Sequence, residues 1–126
     1  MNKTLTHTRF SIRARLRSFI FAWHGITRFF KEEHNARVHL LATVVVGCLS
    51  YLLSITVFEL LIIIIVTSGV WVAEIFNTVI EKIMDHISPQ QHPRVRYIKD
   101  LSAAAVLITS ITAVIAAAFI FIPKIL

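Results

Sequence analysis

Four polar side chains set into an apolar run are the residues best suited to chemistry in this 126-residue chain. Leu60 to Asp85 reads LLIIIIVTSGVWVAEIFNTVIEKIMD and carries Glu74, Asn77, Glu81 and Asp85 on its second half. At about 100° per residue, these four fall within roughly 80° of one another on a helix, so they form one stripe. A carboxylate in the apolar part of a membrane helix costs roughly 2.5 kcal/mol or more, so it faces protein, water or a ligand and marks a site. Three carboxylates and an amide on one stripe can hold cations or move protons. The bland alternative is a polar clamp between helices or subunits, with Asn77 bridging them, and spacing alone leaves both readings open.

The elements around the stripe must be membrane elements. Hydrophobic residues make up 56% of the chain and the mean hydropathy is +0.75. That leaves too little polar surface to cover a soluble core of this size, so the expectation is one integral-membrane domain over residues 1–126. Leu40 to Phe58 has no charged residue and is long enough to cross. Gly47 offers it a close-packing point, and its Ser and Thr can return hydrogen bonds to their own helix. The stripe-bearing helix follows after a very short connection whose only charge is Glu59. Ser88, Pro89 and Pro93 end it. Leu101 to Ile122 forms a third uncharged run closed by Pro123 and Lys124. Ser102, Ala105, Thr109, Thr112, Ala113 and Ala116 give that run a small-residue face.

Upstream, Ile12, Leu16, Phe19, Trp23, Ile26 and Phe30 recur at helical spacing, with Arg13, Arg17 and Arg28 towards the other side. This is the pattern of a helix lying in a membrane surface. The expected fold is therefore all-α: an amphipathic surface helix at about 10–34 and transmembrane helices at about 39–58, 59–86 and 100–122.

Charge sets the orientation. The formal net charge is +6, and Lys3, Arg9, Arg13, Arg15, Arg17, Arg28 and Lys31 all precede the first acid. With the basic loop SPQQHPRVRYIKD, they place the N-terminus in the cytoplasm and the C-terminus outside. The basic segment suits anionic lipid or a phosphorylated ligand; no nucleic-acid recognition motif accompanies it. Cys48 is the only cysteine, so no intrachain disulfide forms. The first long apolar run begins too late for an ordinary signal peptide.

Glu33, Glu74, Asn77, Glu81, Asp85, Lys99 and Asp100 then gather at the cytoplasmic interface. No Walker A, HExxH or glycine-rich phosphate loop is present, and the chain has 3 glycines in all. The six histidines show no zinc spacing. Clustered carboxylates match a hard, oxygen-liganded ion such as Mg²⁺, which takes one or two protein carboxylates and shares substrate phosphates. Lys99 supplies a point charge for such phosphates. Glu74, set deeper, lies where a lipid hydroxyl can reach it, a setting that suits a general base. These parts add up to phosphoryl transfer at a membrane surface, and the active site would be cytoplasmic.

Three blocks now carry a resemblance. AEIFNTVIEKIMD (Ala73 to Asp85) resembles the signature E-x-x-N-[TS]-[AV]-[IV]-E-x-x-x-D of the small bacterial diacylglycerol kinase and undecaprenol kinase family. IKDLSAAAV (Ile98 to Val106) is similar to that family's A-K-D-x-x-[AS]-[AG]-A-V, and E-x-N-x-R-x-H (Glu33 to His39) resembles the segment before its first span. The resemblance implies a homotrimeric membrane lipid kinase that uses Mg-ATP to phosphorylate the hydroxyl of undecaprenol, diacylglycerol or a similar lipid alcohol. It implies Glu74 as the catalytic carboxylate and Glu33 and Glu81 as magnesium and nucleotide ligands. Asn77 and Asp85 would support the site. Lys99, Asp100 and His92, with Gln90 and Gln91 beside it, would lie on the ATP side. Ile98 and Val95-Arg96-Tyr97 depart from the family's small residues. The rival from another class is a non-enzymatic scaffold, or a subunit of a proton or cation pathway, built on the same stripe.

Overall fold

The structure is a computed structural model that describes residues 11–88 and 92–126. Its element order is α1 (Ile12–Glu32), α2 (His34–Leu52), α3 (Val57–Ile87) and α4 (Pro93–Ile125). The fold is all-helical. The chain divides into two units, residues 1–32 and 33–126.

In the first unit, α1 buries none of its 21 residues. Arg28 pairs with Glu32 one turn on, and the Phe29 and Phe30 rings meet edge to face.

The second unit holds α2, α3 and α4, each long and apolar enough to cross a membrane. At 1.5 Å per residue α2 spans about 28 Å, close to the hydrocarbon thickness of a bilayer, whereas α3 and α4 reach about 46 and 50 Å. The two longer helices must therefore project beyond the hydrocarbon. On α3 the polar stripe occupies the half nearer its C-terminus. α3 packs chiefly on α4, and α2 touches the pair over fewer residues. Large side chains such as Leu41, Ile65, Phe76 and Phe119 stay outward, as lipid-facing positions would. A buried core of Ile63, Ile120 and Phe121, joined by Val46, Leu49 and Leu53, closes the end away from the stripe. Lys124 Nζ lies 3.2 Å from Glu59 there.

Several boundaries depart from the sequence reading. The first span stops at Leu52, not near Phe58, because residues 53–56 turn the chain. Ser54 takes a left-handed φ of 47° in that turn, and the Ile55 amide donates back to the Ser50 carbonyl. Glu59, the expected start of the second span, lies inside the helix that begins at Val57. It is the third residue of α3 and forms a reciprocal capping box: Thr56 N donates to Glu59 Oε2 at 2.7 Å and Glu59 N donates to Thr56 Oγ1 at 3.2 Å.

Pro93 does not close α3 from afar. It opens α4 at the first helical position, where a missing N–H costs nothing. Pro123 does not end α4, which runs on to Ile125; the proline sits in the last turn, where one lost amide bond does not propagate. A Cβ at Gly47 would meet no atom within 4 Å among the described residues, so Gly47 is not a packing point for them. The small-residue face of α4 is used in part. Ser102 is buried, while Thr109 and Thr112 return their hydroxyls to carbonyls of their own helix.

Candidate functional site

Among the described residues, Glu74 is the largest side chain that is fully buried, at 2% relative exposure. Periodicity puts it on the inner stripe of α3, and the first turns of α2 cover it. His39 Nε2 stands 3.7 Å from Glu74 Oε2, and the Asn35 side chain hydrogen-bonds the same carboxylate. Asn35 and His39 are four apart on α2 and so share a face. The negative charges of Glu81 and Glu33 also act on Glu74. A buried carboxylate without partners would be costly; here α2 supplies a donor and an imidazole.

The His39 ring is held in turn. It meets the Trp71 indole edge to face, with centroids 6.1 Å apart. Thr43 Oγ1 donates to the His39 carbonyl at 2.8 Å and accepts from Trp71 Nε1 at 3.1 Å.

One turn further along α3, Asn77 is buried at 6% exposure. Its Oδ1 accepts from the Ser102 hydroxyl of α4 at 2.6 Å, and its Nδ2 donates to Glu81 Oε1 at 3.5 Å. Beyond it, Lys99 Nζ donates to Asp85 Oδ1 at 2.9 Å. Lys82 Nζ lies 2.9 Å from Glu33 Oε1. The structure thus gathers Glu33, Glu74, Asn77, Glu81, Asp85 and Lys99 at one end of the three helices.

Two further expected positions, His92 and Asp100, make local contacts on α4. His92 caps α4, its Nδ1 accepting from the Arg94 amide at 3.2 Å. Asp100 has a largely exposed side chain, 3.9 Å from Arg96 one turn back. Gln90 and Gln91 lie outside the described residues. Among the described residues, no three His, Cys, Asp or Glu side chains form a ready metal cage.

The sequence by itself gives no site role to Lys82 and Trp71, none to Asn35 and His39 beyond their place in the Glu33–His39 block, and treats Ser102 only as a small packing residue. The i,i+4 spacing of Asn35 and His39 was the available signal. Nothing in the sequence pairs Lys82 with Glu33 or Trp71 with Thr43.

A cavity of about 170 Å³ opens beside the site, between α2, α3 and α4. His39, Val70 and Trp71 line its upper end, and Val46, Ile63 and Ala117 its floor.

Fold and site together define an all-helical membrane protein with a buried acidic centre at one end of its spans. The family profile described as prokaryotic diacylglycerol kinase matches residues 20–121. The chain is 32% identical over 108 residues to an undecaprenol kinase of Bacillus subtilis, covering 86% of this chain and 88% of that protein. It is 30% identical over 110 residues to a diacylglycerol kinase of Synechocystis sp., covering 86% of this chain and 63% of that protein. The chain belongs to the prokaryotic diacylglycerol kinase family. It is a membrane lipid kinase with an alcohol acceptor.

Proposed function

We propose that the protein transfers the γ-phosphoryl group of ATP to the hydroxyl of a membrane lipid alcohol, undecaprenol or diacylglycerol, with Glu74 as general base. The observation that carries this reading is the burial of Glu74 between His39 and Asn35, within reach of the charges of Glu33 and Glu81. A proton acceptor at the edge of the apolar layer is what a lipid hydroxyl needs.

In the transfer, the hydroxyl oxygen attacks the γ-phosphorus in line, its proton passes to Glu74, and the bond to the β-phosphate oxygen breaks to release ADP. The donor set at the site fits Mg²⁺, because that ion takes only one or two hard carboxylates from protein. Glu33 and Glu81 would hold it, and it supplies neutralisation of phosphate charge when bound. Lys99, now on Asp85, is within a side chain's swing of the same end and would contact phosphate. Asn77 and Asp85 orient Glu81 and Lys99. Asp100 and His92, with Gln90 and Gln91, would serve the nucleotide.

The rival reading, a polar clamp between subunits, loses ground. The deepest polar groups, Glu74 and Asn77, already find partners inside one chain. We further propose a homotrimer, with α1 on the inner leaflet and the site facing the cytoplasm. The run of cationic residues before Glu32 supports that orientation.

Glu74→Gln tests the base directly. It keeps the shape and should lower turnover about a hundred-fold or more while the protein stays folded. Substantial residual phosphorylation of lipid would remove Glu74 from its role.

A further inference from the structure

Lys82 takes no part in the transfer chemistry, yet it stands at the acidic end. It follows Glu81 on α3 and lies about 60° round the helix from Asp85, so it flanks the stripe instead of joining it. Its Nζ is 2.9 Å from Glu33 Oε1. The two partners are unequally placed. The Glu33 side chain is 25% exposed, whereas that of Lys82 is 57% exposed. The carboxylate is the more fixed member, and the ammonium reaches it from the water on a flexible four-carbon stem.

Glu33 does not spend that carboxylate locally. It is the residue before α2, with an extended backbone (φ −99°, ψ 121°), and its side chain caps none of the open amides there. It is turned to α3 instead. Glu74, Glu81 and Asp85 lie at the same end, and the charges of Glu33 and Glu81 both bear on Glu74. Like charges so close need cations nearby even before a metal arrives. Lys99 meets Asp85, and Lys82 meets Glu33. An exposed ion pair contributes little to stability, so Lys82 is no clamp. Its pair is one that a stronger cation can break.

We propose that Lys82 is a displaceable counter-cation: it occupies Glu33 while the acidic end holds no metal, and it turns to a phosphate of the nucleotide when Glu33 becomes a metal ligand. One carboxylate oxygen cannot serve an ammonium and a divalent ion together, because the two cations repel at such short range. Magnesium divides its coordination between protein carboxylates and substrate phosphates, so the freed ammonium finds its new negative charge beside the old one. Lys82 thereby lowers the affinity of the acidic end for bare metal and raises it for the metal–nucleotide complex. This rests on the reading of Glu33 as a metal ligand.

Binding measurements on the full chain in phosphatidylcholine nanodiscs test the exchange. Manganese is titrated without nucleotide and read by the loss of its free-ion electron paramagnetic resonance signal. The non-hydrolysable analogue β,γ-methylene-ATP is then titrated at saturating magnesium by equilibrium dialysis. Lys82→Met should bind manganese about two- to five-fold tighter, the range that an exposed pair can supply. It should bind the analogue about ten-fold more weakly, the scale of one hydrogen bond to a charged group. Lys82→Arg should stay near the unaltered protein in both titrations. Manganese binding that is unchanged or weaker in Lys82→Met would overturn the counter-cation, since losing a residue that only steadies Glu33 would weaken it. Unchanged analogue binding would overturn the phosphate contact. Glu33→Gln separates this inference from the reading beneath it. If Glu33→Gln weakens manganese binding while Lys82→Met changes nothing, the metal ligand stands and the counter-cation falls. If Glu33→Gln leaves manganese binding untouched, both fall.

Discussion

The Ser102 hydroxyl and the Asn77 carbonyl oxygen are 2.6 Å apart, joining α4 to α3 beneath the acidic cluster. Ser102 Oγ also lies 2.8 Å from the Lys99 carbonyl, but a hydroxyl has one proton to give. Asn77 decides where it goes. Its Nδ2 points at Glu81, which turns Oδ1 towards α4, so the Ser102 proton serves Asn77. The order Ser102, Asn77, Glu81 thus runs from the packed interface to a proposed metal ligand. Ser102→Ala would leave a buried amide oxygen unpaired. It should cost about 1 kcal/mol of stability and lower activity through a looser Glu81. Detergent-unfolding midpoints and lipid phosphorylation rates check both; unchanged values in the two assays would show that the contact carries nothing.

His39 should act on turnover more than on binding. His39→Leu removes the imidazole that faces Glu74 and is expected to slow kcat about ten-fold, equivalent to about 1.4 kcal/mol, with KM for Mg-ATP little changed. His39→Gln keeps a polar contact and should recover part of the loss. Steady-state kinetics with both variants distinguish positioning of Glu74 from packing against Trp71, since a packing role would treat Leu better than Gln.

The metal assignment turns on Glu81 and Glu33. Glu81→Ala should raise the Mg²⁺ concentration for half-maximal activity by at least about ten-fold, and Glu33→Ala should do likewise. An unchanged magnesium titration would remove the residue from the ligand set.

Lys99 now rests on Asp85, yet its proposed partner in turnover is a phosphate. Lys99→Met should raise KM for Mg-ATP markedly. Asp85→Asn, which frees the ammonium group, should have a milder effect. Equal losses from the two variants would make the ion pair itself the functional unit, and the phosphate role would fall.

At the opposite end, Thr56→Ala breaks the capping box with Glu59. The expected cost is about 1 kcal/mol. The residue lies at the far end of α3 from the cluster, so kcat should hold at a temperature where the variant remains folded. Thermal unfolding and activity measured on the same preparation check the separation.

Much of this site was legible because it is periodic. Glu74, Asn77, Glu81 and Asp85 share a face on any α-helix, and no partner is needed to deduce it. The three spans follow from runs of apolar residues that cannot be solvated. Where the reading slipped, a local competitor had won. The sequence puts the start of the second span at about Glu59, but Thr56 caps the helix and moves its start to Val57. Pro93 and Pro123 read as stops, yet a proline in the first or last turn of a helix is tolerated.

The amino-acid sequence by itself determined the helices, their apolar lengths and the acidic stripe, since each depends on neighbours within a few residues. Tertiary structure alone decided that His39 and Asn35 close over Glu74, that Ser102 spends its proton on Asn77, and that a void persists between Trp71 and Ala117. Those relationships depend on the rotation and depth at which helices meet. Many side chains set that docking together, and no short stretch of chain encodes it.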